Sequence, residues 1–213
     1  ILHAARDAIF HKVPVLGVNM GSVGFMAELE HSELDCLSKV VQGKYTLEPR
    51  MMLDVLVRRG KDIVYRDLAL NDAVITKGAV ARVIDLNVCG DGIPIYAFSG
   101  DGVILSTPTG STAYSMSAGG PIVEPTAENV IVTPICAHAL HAKSLVLDRS
   151  RVVQVKIGRM SRKSAHLSVD GGRAFRLSSN DLVEVQRSKS ITRVVRLTHR
   201  SFYEIMNQKL GRG

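Results

Sequence analysis

The residues best suited to chemistry lie between Ser99 and Pro121, in the run Ser-Gly-Asp-Gly-Val-Ile-Leu-Ser-Thr-Pro-Thr-Gly-Ser-Thr-Ala-Tyr-Ser-Met-Ser-Ala-Gly-Gly-Pro. Its apolar centre, residues 103–106, reads as a strand entering a Gly/Ser/Thr loop, and that loop is expected to open a helix at Ser111 or Thr112. Such a junction turns free backbone N–H groups and hydroxyls toward an anionic or polyhydroxy ligand, and a phosphate, a ribose or a carboxamide would each suit it. No Gly-Lys-Ser/Thr follows, so the loop is not of the Walker type. The same small residues also fit a tight strand–helix turn that binds nothing.

Other reactive residue types carry weaker signals. Asn71-Asp72 and Asp101-Gly102 each read on their own as turns. His138 and His141 precede a strand and read as structural residues rather than metal ligands. The three cysteines, Cys36, Cys89 and Cys136, are scattered and lack metal-ligand spacing. They read as buried thiols of a reducing, cytoplasmic compartment.

The elements that must position these residues fall into two textures. Residues 1–19 read as the tail of a helix and then a buried strand at 13–18, as in the last part of a Rossmann-like α/β unit. Residues 32–41 read as a short helix with Ser32 as its N-cap and Asp35 three residues on. After Gly43, β-branched and alternating runs dominate, at 45–59, 63–70, 73–76, 80–88, 93–99 and 103–106, then at 129–133, 151–157, 166–169, 174–177, 182–186 and 192–197. Arg59-Gly-Lys-Asp62 and Cys89-Gly-Asp-Gly92 supply the clearest hairpin turns. An amphipathic helix over 201–210 closes the chain. The expected architecture is therefore an α/β segment over 1–43 and a long, mostly antiparallel β-rich region over 44–213.

Composition narrows the function classes. The chain has 213 residues, 46% hydrophobic and 22% charged, which suits a globular fold with a substantial core and excludes disorder and fibrous repeats. No apolar run is long enough to cross a bilayer, and no signal peptide is visible at the start. The net charge of +7 is spread along the chain, its densest cluster being Arg159, Arg162 and Lys163. Without interleaved exposed aromatics and with no Trp, that charge points away from nucleic acid.

The stretch over 101–120 resembles the long glycine- and threonine-rich signature of NAD kinases, including its Thr-Pro-Thr-Gly-Ser-Thr-Ala-Tyr core at 107–114. Gly17-Val-Asn-Met-Gly-Ser-Val-Gly-Phe25 is similar to a family loop, Asn71-Asp72 to the family's Asn-Glu or Asn-Asp pair, and residues 203–211 to its C-terminus. The resemblance covers essentially the whole chain. It implies the end of a Rossmann-like domain followed by a sandwich-like NAD-binding domain, with the last helix packing back. It implies phosphorylation of the 2′-hydroxyl on the adenosine ribose of NAD to give NADP, with ATP or polyphosphate as donor and Mg²⁺ as the metal. A homodimer or homotetramer with sites shared across the interface is also implied, with no nucleic-acid or membrane partner.

The resemblance further implies roles for particular residues. Asn71 and Asp72 would contact the ribose hydroxyls and the adenine side, since an amide and a carboxylate can hold a diol. Thr112, Ala113, Tyr114, Ser115, Met116 and Ser117 would wrap the dinucleotide, with Tyr114 stacking. Phe25 would lie close to the adenine, Arg82 near the ligand phosphates, and Asp101 would meet the ligand of a neighbouring subunit. Asp170-Gly171-Gly172 resembles the family's Asp-Gly-Gln turn, with Gly172 in place of Gln. The family's Gly-Gly-Asp-Gly motif, whose Asp polarises the ribose hydroxyl, is not in this sequence, and Ile1-Leu-His-Ala-Ala-Arg6 resembles the residues after it. The catalytic Asp is accordingly expected upstream of Ile1. The alternatives are a non-catalytic NAD-binding fragment or pseudo-kinase, and a related lipid kinase.

Overall fold

A computed structural model describes residues 1–21, 24–78, 82–160, 164–198 and 200–211. Outside them lie Ser22 and Val23 of the loop ending at Phe25, residues 79–81 at the start of the strand expected over 80–88, and Arg162 and Lys163 of the basic cluster.

The chain opens with α1, Leu2–His11. The buried strand expected over 13–18 is reduced to a single bridge from Val15 to Val194 and to β1, Val18–Asn19. Pro14 has no N–H to give to a ladder, and Val13 is exposed. β1 pairs in parallel with β2, Leu29–Glu30. A 3-10 helix follows over His31–Leu37, then α2, Ser38–Val41. Its cap is Glu30 rather than Ser32, and the Glu30 N–H donates to the Glu33 carboxylate at 2.9 Å. A glutamate at each end of the first turn outcompetes the serine hydroxyl.

The remaining elements form two six-stranded sheets whose neighbours are all antiparallel. In chain order the strands are β3 Thr46–Arg59, β4 Asp62–Ala69, β5 Asp72–Lys77, β6 Ile84–Gly90, β7 Ile93–Gly100 and β8 Gly102–Ser106. A 3-10 helix Thr109–Thr112 and α3, Tyr114–Ser117, interrupt them. Then come β9 Asn129–Ile135, β10 Leu145–Asp148, β11 Val153–Ile157, β12 Ala165–Val169, β13 Phe175–Leu177, β14 Leu182–Arg196 and the final helix α4, Phe202–Leu210. One sheet runs β10-β9-β8-β5-β12-β13 and the other β4-β3-β14-β11-β6-β7. Alternate residues of both, such as Val55, Val57, Ile75, Val103, Leu105, Val155, Leu167 and Val185, face inward and make one core.

The two strands expected at 182–186 and 192–197 are one long strand, β14, whose register against β3 shifts between Arg187 and Ile191. The break in the apolar pattern at Ser188-Lys-Ser190 marks that bulge, where the Ser190 N–H donates to Ser188 Oγ at 3.1 Å. β10 is an edge strand with no matching expectation. Its burial does alternate, with Leu145 and Leu147 packed on the core, but the apolar Val146 on the outer face hides that alternation in the sequence. The Asp91-Gly92 turn has both residues at positive φ, 53° and 80°, as a two-residue hairpin loop requires.

The first 43 residues are tied to the second sheet rather than standing apart. Ala5 of α1 packs with Met52 and Leu70, so residues 50–53 of β3 are buried on both faces. Leu29 packs with Val195 and Leu197 at the end of β14. Buried Glu28 fixes the same corner: it accepts the Leu197 N–H at 2.8 Å, the Thr198 N–H at 2.6 Å and the Thr198 hydroxyl at 2.7 Å, and pairs with Arg196 at 2.8 Å. Removing one partner from such a buried network leaves the others unsatisfied, so Glu28→Ala should cost about 3 kcal/mol. Urea denaturation would register this as a lower midpoint with an unchanged slope.

Candidate functional site

The Gly/Ser/Thr run leaves β8 and folds immediately over the loop between β4 and β5. The Thr107 N–H donates to the Asn71 carbonyl at 2.9 Å, and its hydroxyl donates to the Leu70 carbonyl at 2.5 Å while accepting the Gly110 N–H at 3.1 Å. Gly110 passes so close that a Cβ there would lie 2.1 Å from the Asn71 carbonyl oxygen, a position only glycine can occupy. Ser111 Oγ donates to the Pro108 carbonyl at 2.7 Å and accepts the Val123 N–H at 3.0 Å. Ser115 Oγ and Thr133 Oγ1 are 2.9 Å apart and both buried. Much of the run therefore holds its own loop in place. The helix expected from Ser111 or Thr112 is instead the 3-10 turn and then the single turn of α3.

The Asn71-Asp72 loop is held from its other side by Asp170, at the end of β12. Its carboxylate accepts the N–H groups of Leu70 at 2.7 Å, Asn71 at 2.8 Å and Asp72 at 3.0 Å. The Asp170 N–H donates to the Asp72 carbonyl at 2.9 Å, and Asp170 itself sits at φ 49°, a left-handed conformation that Asp tolerates. The sequence marks Asp170-Gly171-Gly172 as a turn, but its partner, about a hundred residues earlier, leaves no local signal.

Between these supports opens a cleft of about 310 Å³. Phe25, Asn71, Thr109, Thr112 and Ala113 line it, and Ile1 and Leu2 of α1 form a further wall. Gly24, at φ 59°, lets the chain turn against Asn19 just before Phe25. The Oδ1 of Asn71 is buried and finds no donor among the described residues. Asp72 is buried beside it, and no hydrogen bond among the described residues reaches its carboxylate. Burial, then the neighbouring charge of Asp170, pushes the Asp72 carboxyl up to about 7. Asp170 is also raised by burial, against the opposing pull of its three amides and of Arg6.

Phe25, Asn71, Thr112 and Ala113 thus meet in one cleft, while the adjoining Asp72 is buried and does not line it. Tyr114 is 45% exposed, Ser115 is buried, Met116 half-buried and Ser117 exposed on α3. Asp101 and Arg82 are elsewhere. β5 and β8 pair from Asp72↔Ser106 to Thr76↔Gly102, so Asp101 lies at the opposite end of the sheet, joined to Lys77 at 2.6 Å. Arg82 is exposed just before β6, whose Ile84 pairs with Gly100 at that same end. Among the described residues no three His, Cys, Asp or Glu side chains are grouped to hold a metal ion.

The profile of the ATP-NAD kinase C-terminal domain matches residues 70–197. The chain belongs to the NAD kinase family. It is 40% identical over 214 residues to the NAD kinase of Natranaerobius thermophilus, spanning 100% of this chain and 74% of that protein. To the NAD kinase of Acetivibrio thermocellus it is 37% identical, over 98% of this chain and 73% of the relative. Among solved structures, yeast NADH kinase complexed with NADH superposes with a TM-score of 0.85 at 31% identity, over 94% of this chain and 59% of the yeast chain. An NAD kinase from Archaeoglobus fulgidus in complex with ATP gives 0.73 at 25% identity, over 93% and 74%.

Two outcomes test this corner of the NAD kinase fold. Asp170→Ala strands two buried amides and one half-buried amide and should cost about 3 kcal/mol of stability, read from denaturant unfolding. The second concerns pH. Because the folded Asp72 carboxyl titrates near 7 against an ordinary 3.8, the folded chain holds the proton more tightly, and stability falls as pH rises through that window. In unliganded protein Asp72→Asn should therefore melt above the parent near pH 8, and the gap should close near pH 4.

Proposed function

We propose that the cleft holds the adenosine end of NAD and presents its ribose 2′-hydroxyl for phosphorylation to NADP, with ATP or polyphosphate as donor. The observation that carries this is Asn71, which lines the cleft with Phe25, Thr112 and Ala113 and whose amide oxygen finds no donor among the described residues. A ribose hydroxyl supplies the missing donor, Asp72 adds a carboxylate for the second hydroxyl of the diol, and Phe25 covers an adenine face. Tyr114 and Ser117, exposed on the next turn, extend the contact along the dinucleotide, with Met116 and Ser115 supporting them.

The reaction needs a base for the 2′-hydroxyl, and no carboxylate in the cleft is assigned to it. Asp101 belongs to the far end of the sheet. The family's Gly-Gly-Asp-Gly carboxylate fits that role, and the relatives are longer than this chain. With no cage of acidic side chains among the described residues, the divalent metal is proposed to enter with the donor phosphates. Asp101 and Arg82, remote from their own cleft, are proposed to reach the ligand of a neighbouring subunit in a dimer or tetramer. Residues 1–43, with α1 beside the parallel β1–β2 pair, are read as the end of a Rossmann-like domain, and residues 44–213 as the NAD-binding domain. A cytoplasmic setting belongs to the same reading and is supported by the free thiols of Cys36, Cys89 and Cys136.

The complete protein that contains this chain should form NADP from NAD, ATP and Mg²⁺, measured with an NADP-specific dehydrogenase. Asn71→Ala should raise KM for NAD about tenfold or more, as the loss of a buried polar contact requires. Well-folded protein that yields no NADP, or an Asn71→Ala variant with unchanged KM, would contradict the assignment.

A further inference from the structure

Two carboxylates, Asp72 and Asp170, are buried side by side behind the cleft, and burial of like charges calls for a nearby cation. Among the described residues, the cation whose charge acts on Asp170 is Arg6. It does not belong to the sandwich. It projects from α1, one turn beyond Leu2, so Leu2 and Arg6 share a helix face. Leu2 lines the cleft, and Arg6 pairs with Asp67 of β4.

Asp67 is itself fixed. It accepts the Tyr65 hydroxyl at 2.6 Å and the Leu68 N–H at 2.8 Å. Three residues later comes Leu70, the first of the amides bound by Asp170. One guanidinium therefore connects α1, a wall of the cleft, to the strand end that feeds the Asn71-Asp72 loop. Beside it, α1 packs through an apolar cluster of Leu2, Ala5, Ile9, Met52 and Leu70. Apolar contacts are non-directional and leave a helix free to slide, whereas a planar guanidinium on a fixed carboxylate sets direction and distance.

We propose that Arg6 is a positioning residue for phosphoryl transfer, locking α1 through Asp67 at a set distance from the Asn71-Asp72 loop so that the two walls of the cleft stay in register. This rests on the kinase reading of the cleft. Acceptor binding depends mainly on groups of the sandwich, so loss of Arg6 disturbs alignment more than occupancy. Misalignment by about an ångström lowers turnover on the order of a hundredfold.

The test measures kcat and KM for NAD, with melting curves, in the complete protein carrying Arg6→Ala, Arg6→Lys, Asp67→Asn and the Arg6→Ala/Asp67→Asn pair. The expected result is kcat lowered about ten- to a hundredfold in Arg6→Ala, with KM for NAD within about threefold of the parent. Arg6→Lys, which keeps the charge but not the fork, should recover part of the loss. Asp67→Asn should match Arg6→Ala, and the double variant should be no worse than either single. If Arg6→Ala does not fold, Arg6→Lys and Asp67→Asn carry the same comparison. Folded variants with kcat within twofold of the parent, a loss confined to KM, or effects that multiply in the double variant would overturn the proposal. Parent protein that forms no NADP would instead count against the kinase reading itself.

Discussion

Three backbone amides converge on one carboxylate, and the cleft is built outward from that contact. Asp170, left-handed at the end of β12, gathers the N–H groups of residues 70–72 and so fixes where β5 begins. Charge-assisted hydrogen bonds of this kind are about twice as strong as neutral ones. The Asn71 carbonyl, held in place by that grip, then receives the Thr107 N–H and sets the path that only Gly110 can follow. The side chain of Asn71 is left facing the cleft. Moving Asp170 would move the glycine-rich loop as well, although no hydrogen bond among the described residues joins the two.

The arrangement is electrostatically demanding. Two buried carboxylates lie behind a cleft proposed to receive a ribose, and the chain compensates Asp170 with amides and with an arginine from a different layer. Asp72 receives no such compensation from the described residues and stays raised to about 7. An uncompensated polar group is costly in a structural corner and useful where a ligand brings the missing donors. The buried Asn71 oxygen follows the same logic. Binding and local instability are in this sense the same property of the loop.

Much of this was readable from the chain. Strand periodicity located most of the sandwich, because an inward face packed against a second sheet imposes strict alternation, as in β11 and β12. Long-range features were not readable. The merger of two expected strands into β14 depends on pairing with β3, and the loss of the expected strand at 13–18 reflects Pro14 together with a partner, Val194, far along the chain. Within the site, the run over 101–120 announced itself by composition, yet composition could not separate residues that brace the loop, such as Ser111 and Ser115, from Thr112 and Ala113, which face the cleft. The role of Asp170 was hidden for the same reason, since an Asp-Gly-Gly turn looks alike whether or not distant amides fill its carboxylate.

On the proposed reading, NAD is held by the Asn71-Asp72 loop and the Thr109–Thr112 turn. Hydrogen–deuterium exchange of the complete protein, with and without saturating NAD, tests it most directly. Slower exchange is expected in peptides covering residues 24–27, 68–74 and 107–118, with the distant Asp91-Gly92 hairpin unchanged. Protection that falls elsewhere while those peptides exchange as before would contradict it.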